Sequence, residues 1–105
     1  KEGIIMIKVF ISQPMRDKTN EQIETERKRA VEAVKKRFND NEAEIIDSFF
    51  KDAPHEAKPL WFLGKSFELL STADVAYFVK GWSDYRGCKM EHMAASNYGI
   101  NILAE

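Results

Sequence analysis

The chain has 105 residues, enough for one domain built around a single core, taken here to span residues 1–105. Its 44% hydrophobic and 31% charged residues are those of a soluble globular protein, and a net charge of −1 with no basic tail argues against nucleic-acid or membrane partners. One cysteine, Cys88, excludes an internal disulfide and fits a reducing, cytoplasmic setting; no signal peptide is evident.

In chain order, Ile4–Ile11 is an Ile/Val-rich run with Lys8 as its only charge, the pattern of a central parallel strand. Ser12, Gln13, Pro14 and Met15 break it, since Pro14 lacks an amide for the ladder and biases Gln13 away from helix. A long amphipathic helix follows over about Thr19–Phe38, with Thr19 and Gln22 spaced as a capping box. Its apolar stripe is Ile23, Ala30, Val31, Val34 and Phe38, and acids lead while bases trail, as the helix dipole favours.

Asn39, Asp40 and Asn41 end that helix, and Ala43–Ile46 is a short strand with Asp47 at its carboxyl end. Ser48–Lys58 reads as an irregular loop, and Leu60–Leu70, with Pro59 near its start, as a helix whose Trp61, Phe62, Phe67, Leu69 and Leu70 serve a core or an interface. Asp74–Val79 is a third buried strand. A turn through Gly81 leads to the last helix, which Gly99 stops before a final strand, Ile100–Leu103.

The alternation β-α-β-α-β-α-β predicts a flavodoxin-like or Rossmann-like three-layer α/β fold. Right-handed crossovers give a four-stranded parallel sheet of order 2-1-3-4. The switch point lies between the first and third strands, so Ser12–Met15 and Gly81–Asp84 face each other across one crevice.

In the last helix Glu91 falls on the arc shared with Gly87, Cys88, Ala94, Ala95 and Tyr98, while Lys89, His92 and Ser96 lie opposite. No basic residue stands three or four positions from it, so it lacks an intrahelical partner. An inward carboxylate of this kind needs compensation; the alternative is a solvated rim. Asp84 precedes it by two helical turns, about 10 Å along a straight helix, against about 5–5.5 Å between the carboxyls of retaining glycosidases. The gap closes if Asp84 sits in the loop before the helix and folds back, which Gly81 and Gly87 permit; the simpler role for Asp84 is a helix N-cap.

Several functions drop out. Neither GxxxxGKS/T nor GxGxxG follows the first strand, no GxSxG elbow surrounds Ser12, and His55 and His92 have no metal-ligand context and read as surface residues. Cys88 reads as a small packed residue.

Three segments carry a family resemblance: FISQPM at Phe10–Met15, LWFLGKSFELLSTADVAYF at Leu60–Phe78, and GWSDYRGCKMEHMAA at Gly81–Ala95. Together they resemble the nucleoside 2-deoxyribosyltransferase-like superfamily, closest to its small phage- or prophage-type branch. The resemblance implies a flavodoxin-like sheet and cleavage of an N-glycosidic bond in a (deoxy)nucleoside or nucleoside 5′-monophosphate, without a cofactor or metal. It assigns Glu91 as nucleophile and Asp84 as the acid that orients the sugar hydroxyls. Ser12 and Gln13 become the loop under the sugar or phosphate, and Ser66 stands nearest the position of the acid that handles the base. The remaining candidate substrate contacts are Met15, Asp47, Gly81, Trp82 and Gly87, with Trp82 either stacking on a base or simply packing. Departures from the pattern are Met93, where a glycine is usual, and one extra residue between Asp84 and Glu91. The resemblance also implies a homodimer or larger homo-oligomer, with Trp61, Trp82 or Tyr98 at a neighbour's pocket. Two rival readings fit the same residues: a nucleotide-sensing module without turnover, and a dimer-forming domain with Trp61 and Phe62 in an exposed patch.

Overall fold

Four consecutive residues of one strand, Val75–Phe78, are buried on both faces, as happens only where helices cover both sides of a sheet. The computed structural model describes residues 6–39, 41–47 and 53–105. Its elements are β1 (Met6–Ser12), α1 (Asn20–Arg37), β2 (Glu42–Ile45), α2 (Pro59–Leu70), β3 (Val75–Phe78), α3 (Arg86–Asn97) and β4 (Asn101–Ala104). A 3₁₀ turn at Trp82–Asp84, which the sequence pattern does not announce, joins β3 to α3. Ile4 and Ile5 of the expected first strand, Asp40, and residues 48–52 of the expected loop lie outside the described residues.

The sheet is wholly parallel with order β2-β1-β3-β4, so the fold is the three-layer α/β arrangement expected. Alternation along the strands divides the core in two. Ile7, Val9, Ile11, Val75, Tyr77 and Val79 pack with Ala30 and Val34 of α1 on one face. Phe10, Ala76 and Phe78 pack with Leu70 of α2 and Ala95 of α3 on the other.

α1 forms where its caps allow. Thr19 Oγ1 accepts from the Gln22 amide at 3.0 Å while Gln22 Oε1 accepts from the Thr19 amide at 2.8 Å, a complete capping box. Lys35, Lys36 and Arg37 occupy the last turn, and Asn39 takes the left-handed conformation, φ 61°, that ends the helix.

α2, expected to serve a core or an interface, enters the core only in part. Only Leu70 is fully buried; Leu60 is 76% exposed, and Phe62 and Phe67 also reach solvent. The reason is geometric: α2 packs chiefly on α3 and less on any one strand, so only the end that reaches the sheet at Leu70 is enclosed. Likewise Tyr98, expected on the inner arc of α3, is 85% exposed, because it is the C-cap where the chain turns back through Gly99, φ 74°, toward β4.

Candidate active site

Both loops at the carboxyl edge of β1 and β3 meet as the switch-point rule requires. The Val79 amide donates to the Ser12 carbonyl at 3.0 Å, extending the β1–β3 ladder by one rung. The chain then leaves β3 through Gly81, which adopts φ 94° beside the buried Pro14. A side chain at Gly81 would be strained by that φ, so glycine is dictated by the turn.

Opposite this junction lies a cavity of about 990 Å³ lined by Ser12, Gln13 and Met15 from the first loop, Ser66 from α2, and Asp84 through Lys89 with Glu91 from the last helix and its approach. Seven of the expected residues therefore meet in one place: Ser12, Gln13, Met15, Ser66, Asp84, Gly87 and Glu91. Gly81 shapes the turn without lining the cavity. Asp47, exposed at the end of β2, and Trp82 also stand outside the lining.

Glu91 is the centre of the arrangement. Its residue exposure is 8%, on the inner face of α3 with Cys88 and Ala95, so it does not sit at a solvated rim. Ser12 Oγ donates to Glu91 Oε1 at 2.6 Å, and the Ser66 hydroxyl also hydrogen-bonds the carboxyl. Burial pushes the Glu91 carboxyl above its ordinary pKa, and the two hydroxyls oppose that rise without cancelling it. No salt bridge to Glu91 occurs among the described residues. The resulting group is a carboxylate held by neutral donors beside open space, a setting that keeps its lone pairs reactive.

Asp84 belongs to the 3₁₀ turn, not to α3, whose N-cap is Tyr85 and has no side-chain capping bond. The capping role for Asp84 is thus not realised, and its carboxylate is exposed at the cavity mouth. Gln13 touches the cavity, but its amide is engaged elsewhere: Nε2 donates to the Ile23 carbonyl at 3.0 Å and to Glu26 at 2.9 Å. Glu26 in turn holds Lys18 at 2.7 Å. Burial tends to raise the Glu26 carboxyl, but bonds from Gln13 and Lys18 prevail and lower it. Gln13 therefore fixes the first loop to α1 and is a positioning residue.

Trp82 packs. Its ring stacks on His92 at 4.3 Å and 11° and lies 5.4 Å from Phe78. His92 correspondingly is half-buried, contrary to its expected place on the outer face, because the 3₁₀ turn folds Trp82 over that side of α3. Sequence reasoning also missed the basic part of the lining, Arg16, Arg86 and Lys89. Cys88 is packed as expected, next to Ser12 and Glu91, and burial pushes its thiol up, away from nucleophilic use. Arg86 and Lys89 could have been found from their place in the first turn of the helix that carries Glu91.

A second, apolar groove of about 750 Å³ runs between α2 and α3 past Leu60, Phe62, Leu63 and Met90, and shares Ser66, Arg86, Gly87 and Glu91 with the first. Among the described residues no group of His, Cys, Asp or Glu is placed to hold a metal ion, and no helix is long and apolar enough to cross a membrane.

Parallel sheet, switch point and carboxyl-edge cavity define the class: a doubly wound, Rossmann-like α/β domain with its candidate site where such folds bind ligands. Neither a family model nor a curated protein matches the chain. Among solved structures it is similar to a conserved protein from Enterococcus faecalis V583, with a TM-score of 0.65 and 16% identity. That likeness, which is one of fold, covers 95% of this chain and 63% of the other, so the chain spans less than two thirds of that protein's length.

Proposed function

We propose that the protein cleaves the N-glycosidic bond of a (deoxy)nucleoside or nucleoside 5′-monophosphate, with Glu91 as nucleophile. The observation that carries this reading is the buried Glu91 carboxylate, bonded to Ser12 and Ser66 and lining a cavity that also receives a second carboxylate, Asp84. The family resemblance of the Gly81–Ala95 segment supports the same assignment.

In this mechanism a Glu91 oxygen attacks C1′ through an oxocarbenium-like transition state. The C1′–N bond breaks, its electron pair leaves with the base, and the base takes a proton from water. Asp84 orients the sugar hydroxyls. Water then attacks C1′ of the glycosyl ester and gives its proton to the hydroxide left by the first step, the C1′–O bond to Glu91 breaks, and the carboxylate is restored; another base in place of water gives transfer. Ser12 and Ser66 favour the ionised form of Glu91 and so keep the nucleophile available.

Replacing Glu91 with Gln or Ala tests the assignment on a panel of nucleosides and nucleotides. Base release should fall by about 10³-fold or more with the fold intact. Equal release by the variant removes Glu91 from the chemistry, and ligand binding by the wild type without any release would make the domain a nucleotide sensor.

The protein is further proposed to work as a homodimer or larger homo-oligomer. Leu60, Phe62 and Met90 line the groove between α2 and α3 and all reach solvent, a face suited to a second copy. Light scattering that gives the monomer mass at micromolar concentration would exclude this.

A further inference from the structure

The loop between β1 and α1 supplies one wall of the cavity, through Gln13, Pro14, Met15 and Arg16. Beyond the buried Pro14, residues 15–17 have little of their own to hold them there. All three are exposed, and the side chains of Arg16 and Asp17 have no hydrogen bond or ion pair among the described residues. The span is bent by a backbone bond from the Lys18 amide to the Met15 carbonyl at 3.2 Å, and it puts Asp17 in the left-handed region at φ 62°. That conformation is unfavourable for a residue with a side chain and persists where the surroundings impose it.

What imposes it is one carboxylate. Before the span, Gln13 Nε2 donates to Glu26 Oε1 at 2.9 Å; after it, Lys18 Nζ donates to both Glu26 oxygens, at 2.9 and 2.7 Å. Glu26 stands on α1 and does not line the cavity. Its side chain is 17% exposed and that of Lys18 23%, so these charge-assisted bonds are partly shielded from water. Without Glu26, the Lys18 ammonium loses its acid and the Gln13 amide keeps only the Ile23 carbonyl, while the strain at Asp17 favours release. Ser12 is held differently. It pairs with Phe78 in the sheet and its carbonyl accepts from Val79, so its bond to Glu91 does not depend on Glu26.

We infer that Glu26 is a positioning residue of the site: from outside the cavity it holds the span that carries Met15 and Arg16 in place as the cavity wall. The kinetic part of the test rests on the proposed glycosidic reading; the hold on the loop does not. With that hold removed, the span leaves the wall, the cavity opens toward Cys88, and the substrate loses contacts that it makes equally before and during the chemistry. Glu91 and Ser12 keep their places.

Cys88 is the only cysteine of the chain and lines the cavity, so its alkylation by iodoacetamide reports the opening without any substrate. Rates are compared for the wild type, Glu26→Ala, Glu26→Gln and Ile7→Val, the last a control that loosens the core near the amino end of β1, away from the cavity. Alkylation should be about tenfold faster in Glu26→Ala than in the wild type. It should be intermediate in Glu26→Gln, whose amide oxygen can still accept from Gln13, and close to wild type in Ile7→Val. In base release, KM should rise about tenfold in Glu26→Ala with kcat within about twofold. Adding Lys18→Ala to Glu26→Ala should change neither readout further. Alkylation of Glu26→Ala no faster than that of Ile7→Val overturns the inference, as does faster alkylation with KM unchanged. Absence of base release from the wild type fells the glycosidic reading instead, and leaves the alkylation rates to decide the hold on the loop.

Discussion

Ser12, the last residue of β1, and Glu91, in the middle of α3, are joined by a buried 2.6 Å hydrogen bond. Removing the hydroxyl by Ser12→Ala takes away one of the donors that oppose the burial-driven rise of the Glu91 pKa. The Ser12 carbonyl, which accepts from Val79, is untouched, so the sheet keeps its register. Base release at pH 7 should drop about tenfold, and the acid limb of the pH–rate profile should move to higher pH. An unmoved acid limb would show that Ser12 does not govern the ionisation of Glu91.

Glu91 also has a predictable effect on stability. Its folded-state pKa lies above the unfolded value, so the folded protein prefers the protonated carboxyl. The contribution is fully present below the unfolded value of about 4.3 and is lost as pH rises through the folded one. Above the unfolded value, the cost of ionising the buried group therefore works against the fold. Glu91→Gln should raise Tm by a few degrees at pH 7, with the gain shrinking toward pH 4. A thermal melt series in which the variant is never more stable would mean the carboxylate is already fully compensated.

The same opposition between folding and function should appear at Gly87. It occupies the first turn of α3, has no positive φ, and has room for a methyl group on the protein side. Gly87→Ala should therefore stabilise the protein by roughly 0.5–1 kcal/mol in urea denaturation. It should also weaken ligand binding, because Gly87 lines both the polar cavity and the apolar groove. Unchanged affinity in a calorimetric titration would place the ligand away from this turn.

What the sequence made legible follows from what kind of signal each feature carries. The strand order came from alternation and crossover handedness, which are local patterns plus one chirality rule. Glu91 stood out because a carboxylate on an apolar arc without a base nearby is visible on a helical wheel. The 3₁₀ turn at Trp82–Asp84 was illegible because three residues carry no period. Missing it also misplaced His92, and left Trp82 undecided between packing and base stacking, because their stacking on each other depends on that turn. Gln13 does line the cavity, but its bonds to Ile23 and Glu26 were illegible because those partners sit on a helix that only the tertiary fold brings near. The aromatic residues of α2 suggested a core or an interface, and hydrophobicity alone does not say which neighbour covers a face.

Trp82 and His92 allow packing to be separated from substrate stacking. His92→Ala removes the ring that lies flat on Trp82 and edge-on to Phe78 at 4.9 Å. The expected loss is about 0.5–1.5 kcal/mol in urea denaturation, with base release unaffected. A large fall in kcat/KM at unchanged stability would instead return Trp82 to the ligand site.

Glu105 ties the far side of the sheet to the loop that leads into the site. Its carboxylate accepts two bonds from Arg29 of α1, at 2.8 and 2.7 Å, one from the Tyr77 hydroxyl at 2.6 Å, and one from the Lys80 amide at 2.9 Å. Burial alone would raise this carboxyl, but these donors outweigh it and hold it at about 2. The Tyr77 phenol, buried and bonded to that carboxylate, is pushed up to about 12 and stays neutral. A lowered carboxyl pKa means stabilisation that is present above the unfolded value of about 4.3 and disappears as pH falls through about 2. Glu105→Gln should therefore lower stability by about 1–2 kcal/mol at pH 7, a modest figure because the Arg29 side chain is half exposed. Denaturation curves of variant and wild type should converge as pH drops from 4 to 2. A gap that persists at pH 2 would show that Glu105 acts through packing alone, and would remove the charge-based link between α1 and the Lys80–Gly81 turn.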